Sequence, residues 1–132
     1  MKNKETLKQI YHLQYDSSAF RSGLINWYNS LLDKTPDELD ENDIAKMIRQ
    51  DILPALAVQK AIEMIEINLM VGYLYDGELL LALSNLIGSD SFSPLQLLQL
   101  KNIINNFDVN MLNDSVMSEE EKKLFLATMN LL

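Results

Sequence analysis

The sequence contains no cysteine, a single histidine, four glycines and three prolines in 132 residues. Without thiols there is no disulfide framework and no soft metal or redox centre, so a reducing cytoplasm suits the chain. The glycine and proline content is far below that of collagenous or low-complexity sequences. Neither a glycine-rich phosphate loop nor the Gly-x-Ser-x-Gly elbow of serine hydrolases is present. A metal site built on the lone His12 would need three carboxylates beside it, and His12 reads instead as a surface or partly packed residue.

Long apolar runs are also missing. The N-terminal MKNKETLKQ lacks the apolar segment of a secretory signal, and the charge-free run Leu79 to Ser89 is far shorter than the ~20 residues a membrane span requires. Basic residues are scarce, with 11 Lys and Arg against 19 Asp and Glu and a formal net charge of -8. Such a field repels phosphate backbones and anionic lipid, so neither nucleic acid nor membrane is expected as a direct partner. The charge is lopsided: residues 1–60 carry 9 acids and 8 bases, residues 61–132 carry 10 acids and 3 bases. An acidic surface of this kind accelerates encounter with a basic protein, although it also serves solubility alone.

What the chain does contain is apolar residues at helical spacing almost throughout, as in Phe20, Leu24, Trp27 and Leu31, or Leu95, Leu98, Ile103 and Phe107. No stretch alternates as a strand does. Three capping boxes punctuate the pattern: Thr35-Pro36-Asp37-Glu38, Ser93-Pro94-Leu95-Gln96 and Ser118-Glu119-Glu120-Glu121. Each offers a hydroxyl to the first turn and a Glu or Gln that reaches back, and the first two add proline where a missing N–H is harmless. The pattern predicts an all-α, single-domain bundle over residues 1–132 of about seven helices. They fall near 3–15, 18–33, 42–50, 54–70, 76–87, 94–107 and 119–131, with a single turn at 36–39. The helix near 54–70 is apolar around most of its circumference, with only Gln59, Glu63 and Glu66 as a polar strip, and belongs at the centre.

Candidate chemistry is sparse. The acidic stretch DKTPDELDENDIAK lacks the alternating oxygen ligands and central glycine of a calcium loop: Asp40 and Asn42 would serve, and Ile44 then fails. Glu63 and Glu66 lie three apart on one helix face, a spacing that paired acid–base carboxylates or a bridged metal could use, yet no Glu-x-x-His accompanies them. No enzyme activity and no cofactor are expected. The segment GYLYDGELLLAL reads as a corner. Gly72 is a left-handed helix stop, Tyr75 a staple on Leu80, Asp76 an N-cap, Gly77 fits the crowded start, and Glu78 sits in the first turn near the positive dipole end.

Two segments together, KTPDELDENDIAKMIRQ and GYLYDGELLLAL, resemble immunity proteins of bacterial contact-dependent growth inhibition systems. The family pattern is a proline-led or acid-led turn running into Asp-hydrophobic-x-x-hydrophobic-hydrophobic-Arg-Gln, here Asp43 to Gln50, then an apolar helix and Tyr-Asp-Gly-acid-Leu-Leu, here Tyr75 to Leu80. The likeness covers about Lys34 to Ile87, with Glu78 where the family often has aspartate. It implies a cytoplasmic protein that binds and neutralises, by stoichiometric complex formation, the toxin domain at the C-terminal tail of a large cell-surface effector. Such toxins are often nucleases, hence basic. The candidate toxin contacts are Asp37, Glu38, Asp40, Glu41 and Asp43 on the acidic turn, with Glu63, Glu66 and Tyr73. The competing expectation is a helical adaptor or regulator that binds a basic peptide or protein, and a more distant one is a small metal-dependent hydrolase using Glu63 and Glu66. Oligomeric state is not encoded in these features.

Overall fold

In the computed structural model the described residues are 5–17, 22–74, 77–107 and, toward the C-terminus, 118–120, 122–123 and 126–127. Among them the regular structure is helical throughout. Six helices, α1 (Leu7–Ile10), α2 (Gly23–Leu32), α3 (Glu41–Arg49), α4 (Pro54–Ile67), α5 (Glu78–Ser84) and α6 (Pro94–Asn105), are joined by short connections, with a 3-10 turn at Pro36–Glu38. Of the helix expected over 119–131, the described positions are helical, and the Lys122 N–H donates to the Ser118 carbonyl at 2.9 Å.

Helix starts follow the sequence chemistry. Ser93 Oγ accepts from the Gln96 N–H at 3.1 Å while the Gln96 side chain accepts from the Ser93 N–H at 2.9 Å, and Glu38 accepts from the Thr35 N–H at 2.9 Å. A further reciprocal box opens α3, where Asp40 accepts from the Asp43 N–H at 2.8 Å and Asp43 from the Asp40 N–H at 3.2 Å. These bonds satisfy amides that the first helical turn leaves without partners.

Helix ends depart from expectation. The helix expected over 3–15 is the single turn α1, because His12 takes a left-handed φ of 54° and the Leu13 N–H folds back to the Lys8 carbonyl. The same device closes α3. Asp51 is left-handed at φ 54°, its N–H donates to the Ile48 carbonyl and the Ile52 N–H donates to Met47, the paired bonds of a Schellman end. Helix α4 stops at Ile67 rather than 70. Asn68 adopts φ -150°, and its side chain accepts from the Met70 N–H at 3.0 Å, competing with continuation of the helix. Gly72 is therefore not the left-handed stop; the positive-φ glycines are Gly77 and Gly88.

The core gathers on α4. Ala57, Val58, Ala61, Ile62 and Ile65 are buried along one broad face, and α4 packs against α3, α5 and α6. Ile44, Met47, Leu79, Leu80, Leu83 and Leu100 close the same cluster, each large apolar side chain contributing about 1.5–3 kcal/mol by leaving water. The apolar stripe expected on α6 is rotated. Leu95 and Leu98 face solvent at 75% and 54% exposure, whereas Leu100 is buried and Ile103, Ile104 and Phe107 pack on the core. Leucines at 95, 97, 98 and 100 fit either face, so packing decided between them.

Asp51 stands at the negative end of α3 in a conformation that glycine adopts freely. Replacing Asp51 by Gly is expected to stabilise the fold by ~0.5–1 kcal/mol, measured as a higher melting temperature and denaturant midpoint.

Candidate functional site

The polar strip of α4 is a ridge between two shallow valleys. On one side Pro36, Asp37 and Leu39 face Lys60, Glu63, Met64 and Ile67 across a groove of about 230 Å³. On the other, the start of α6 and the segment before it face Ala55, Gln59, Ile62 and Glu63 across about 530 Å³, with Asp90 and Leu95 at the rim. A third hollow of about 520 Å³ lies between the ends of α4 and α6, lined by Glu66, Ile67, Asn68, Gln99, Asn102 and Asn106 over a floor that includes Ile65, Ile103 and Phe107. Glu63, Ile67 and Gln99 are each shared by two of these hollows, which makes them one band.

The band is acidic. Among the described residues Asp37, Glu63, Glu66 and Asp90 line it against the single ammonium of Lys60. That lysine lies between two of the carboxylates, 3.5 Å from Asp37 and 3.3 Å from Glu63, and cannot neutralise both. Ile67, 89% exposed, crowns the ridge as an apolar point beside the acids. Ile67 follows Glu63 by four positions, so the helical period that marks the polar strip also places it there, although its apolar side chain gives no such signal. Among the described residues no three His, Cys, Asp or Glu side chains converge as metal ligands would, and no helix is long and apolar enough to cross a membrane.

Of the other expected contacts, Glu38 and Asp40 are exposed and bound to their caps, and Glu41 is half-buried in the first turn of α3. The Thr35 N–H holds the Glu38 carboxyl below its usual range. Tyr73 is 61% exposed on the loop before α5. Tyr75 and Asp76, expected as staple and cap, lie outside the described residues. The residue at the N-cap position is Gly77, at φ 83°, a conformation that favours a residue without Cβ.

Two acids are turned inward. Asp43, expected on the surface, is 3% exposed and accepts from Trp27 Nε1 at 3.0 Å, Lys34 Nζ at 2.6 Å and the Asp40 N–H. A short acidic turn cannot leave every carboxylate in water, because the third position of a capping box reaches back over the helix start. Lys46 lies 5.4 Å above the Trp27 ring, so both ends of α3's first turn and a half engage α2. Glu78 is 1% exposed. One of its oxygens accepts from the N–H groups of Tyr73 at 2.8 Å and Leu74 at 3.1 Å, the other from Arg49 at 3.1 Å. The sequence placed Glu78 in the first turn but not its reach across to α3, since no local pattern links positions 49 and 78.

Asp43, Arg49 and Glu78 all belong to the two quoted motifs. A family model described as CDI immunity proteins matches residues 9–90. The chain belongs to this family. No curated protein matches the sequence. The matched span holds α2 to α5 and both inward-turned acids, whereas α6, one wall of the acidic band, lies beyond it. As a CDI immunity protein the chain is one that neutralises a toxin, and the motifs marking its family serve the scaffold at Asp43, Arg49 and Glu78.

Burial pushes the Asp43 carboxyl up, but bonds from Lys34, Trp27 and the Asp40 amide outweigh it and hold the group below the usual carboxylate range. The reciprocal bond raises Lys34. A depressed carboxyl contributes stability above its unfolded value near ~3.9 and loses it as pH falls through the folded value. Acidification below about pH 4 should therefore release Trp27, seen as a change in its fluorescence together with falling melting temperature. Asp43→Asn should flatten that acid limb and lower neutral-pH stability by ~2–3 kcal/mol.

Proposed function

We propose that this immunity protein acts in the cytoplasm as a single all-helical domain. It forms a stoichiometric complex with the C-terminal toxin domain of a large cell-surface effector, a basic protein and, on this reading, a nuclease. The observation that carries this reading is the acidic band along α4, where the described residues place four carboxylates against one lysine, with Ile67 exposed among them. A cationic toxin surface is drawn to such a field before contact, which raises the association rate. Once docked, apolar points such as Ile67 bury area and exclude water around the charge pairs.

Inhibition on this account needs no chemistry from the immunity protein itself. The acids supply electrostatic complementarity and cover the toxin's cationic surface, so substrate with a phosphate backbone is kept out by both bulk and charge. The protein's own net charge of -8 disfavours direct contact with nucleic acid or anionic membrane.

This reading predicts a large secreted protein encoded directly upstream, and the test is co-purification with its C-terminal domain, combined with rescue of cells expressing that domain. A 1:1 complex and full rescue are expected. Glu66→Lys combined with Glu63→Gln should slow association by about 10-fold or more at low ionic strength and much less at high salt. Association that is equally fast for wild type and variant at low salt would remove the steering role of the band.

A further inference from the structure

The loop before α5 presents two consecutive bulky apolar side chains to solvent, Tyr73 at 61% and Leu74 at 64% exposure. An isolated exposed leucine carries no message, but here the backbone beneath the pair is fixed. A single oxygen of buried Glu78 accepts both the Tyr73 and the Leu74 N–H, and the other oxygen is held by Arg49 from the end of α3. The Gly77 N–H donates to the Met70 carbonyl and the Leu79 N–H to the Val71 carbonyl, closing the base of the loop. A tip so anchored has already lost the conformational freedom that a floppy loop would surrender on binding.

Resting on the toxin-binding reading above, we infer that Tyr73 and Leu74 form an apolar anchor that inserts into a cleft of the same toxin domain. Arg49 and Glu78 are positioning residues that hold the tip in its inserting conformation. The tip lies within short reach of the acidic band along the chain. Tyr73 is five residues from Asn68, which lines the hollow between α4 and α6, so the two Cα atoms are separated by at most ~18 Å. A standard interface of ~800 Å² per partner is about 30 Å across, wide enough to span that distance. The division of labour fits a basic partner: exposed acids set approach and register, and an aromatic on a held backbone with its apolar neighbour supplies the desolvated centre.

The experiment measures binding of the full chain to the toxin domain encoded directly upstream, with growth rescue alongside. Tyr73→Ser and Leu74→Ser are each expected to weaken binding by about 30-fold or more, chiefly through faster dissociation, with melting temperature unchanged. Glu78→Ala should expose the Tyr73 and Leu74 amides to hydrogen exchange and weaken binding, while Glu78→Gln, which keeps an acceptor oxygen, should restore much of both. If wild type binds and protects while both serine variants bind within threefold of it, the anchor is overturned and the toxin-binding reading stands. A wild-type chain that neither binds nor protects overturns both. Self-association of the free protein that Tyr73→Ser abolishes, with toxin affinity intact, assigns the tip to a second copy and overturns the anchor.

Discussion

A carboxylate taken out of water is destabilising unless donors replace the lost hydration, and this fold meets that requirement at both ends of α3. At the first turn Asp43 is surrounded by Trp27 from α2, Lys34 from the following turn and the amide of its own cap. At the last turn Arg49 reaches Glu78 at the start of α5. Helix α3 is thereby fixed to α2 on one side and to α5 on the other, while its apolar face, Ile44, Met47 and Ile48, lies against the core that α4 dominates. Short helices such as these are marginal on their own. Polar bonds of defined geometry select which packing the apolar faces adopt.

That arrangement separates framework from recognition. Within the two motifs Asp43 and Glu78 are turned inside the protein, and on the proposed reading the solvent-facing surface of α4 and of the loop before α5 is left to complement a toxin. Both inward-turned acids lie within the span that the CDI immunity family model matches. The band itself straddles the edge of the matched span, with α4 inside it and the wall from α6 outside.

Much of the helical architecture was legible because its signals are local. Ser93-Pro94 and Thr35-Pro36 announce their own starts, and the all-round apolarity of Leu56 to Ile65 announces a central helix. Ends were less legible, since His12 and Asp51 occupy left-handed positions where glycine is the usual marker, and Asn68 stops α4 through a side-chain bond that Gly72 had been expected to make unnecessary. For the site, Glu63 and Glu66 could be placed together by helical period, while Asp37 joins them only through Lys60, twenty-three residues away. Asp43 looked like one more surface acid because its partners Trp27 and Lys34 come from another helix and turn. Pairings of that separation are set by tertiary packing, which no short window records.

Glu78 grips the loop through main-chain N–H groups and ignores the side chains those residues carry. Every amino acid except proline offers the same N–H, so positions 73 and 74 can change identity without loosening the clamp. The loop therefore works as a fixed mount with exchangeable fittings. If the tip is the proposed anchor, substitutions there change what it fits while leaving the helices, their caps and both buried carboxylates untouched, so specificity changes without any passage through a poorly folded intermediate sequence.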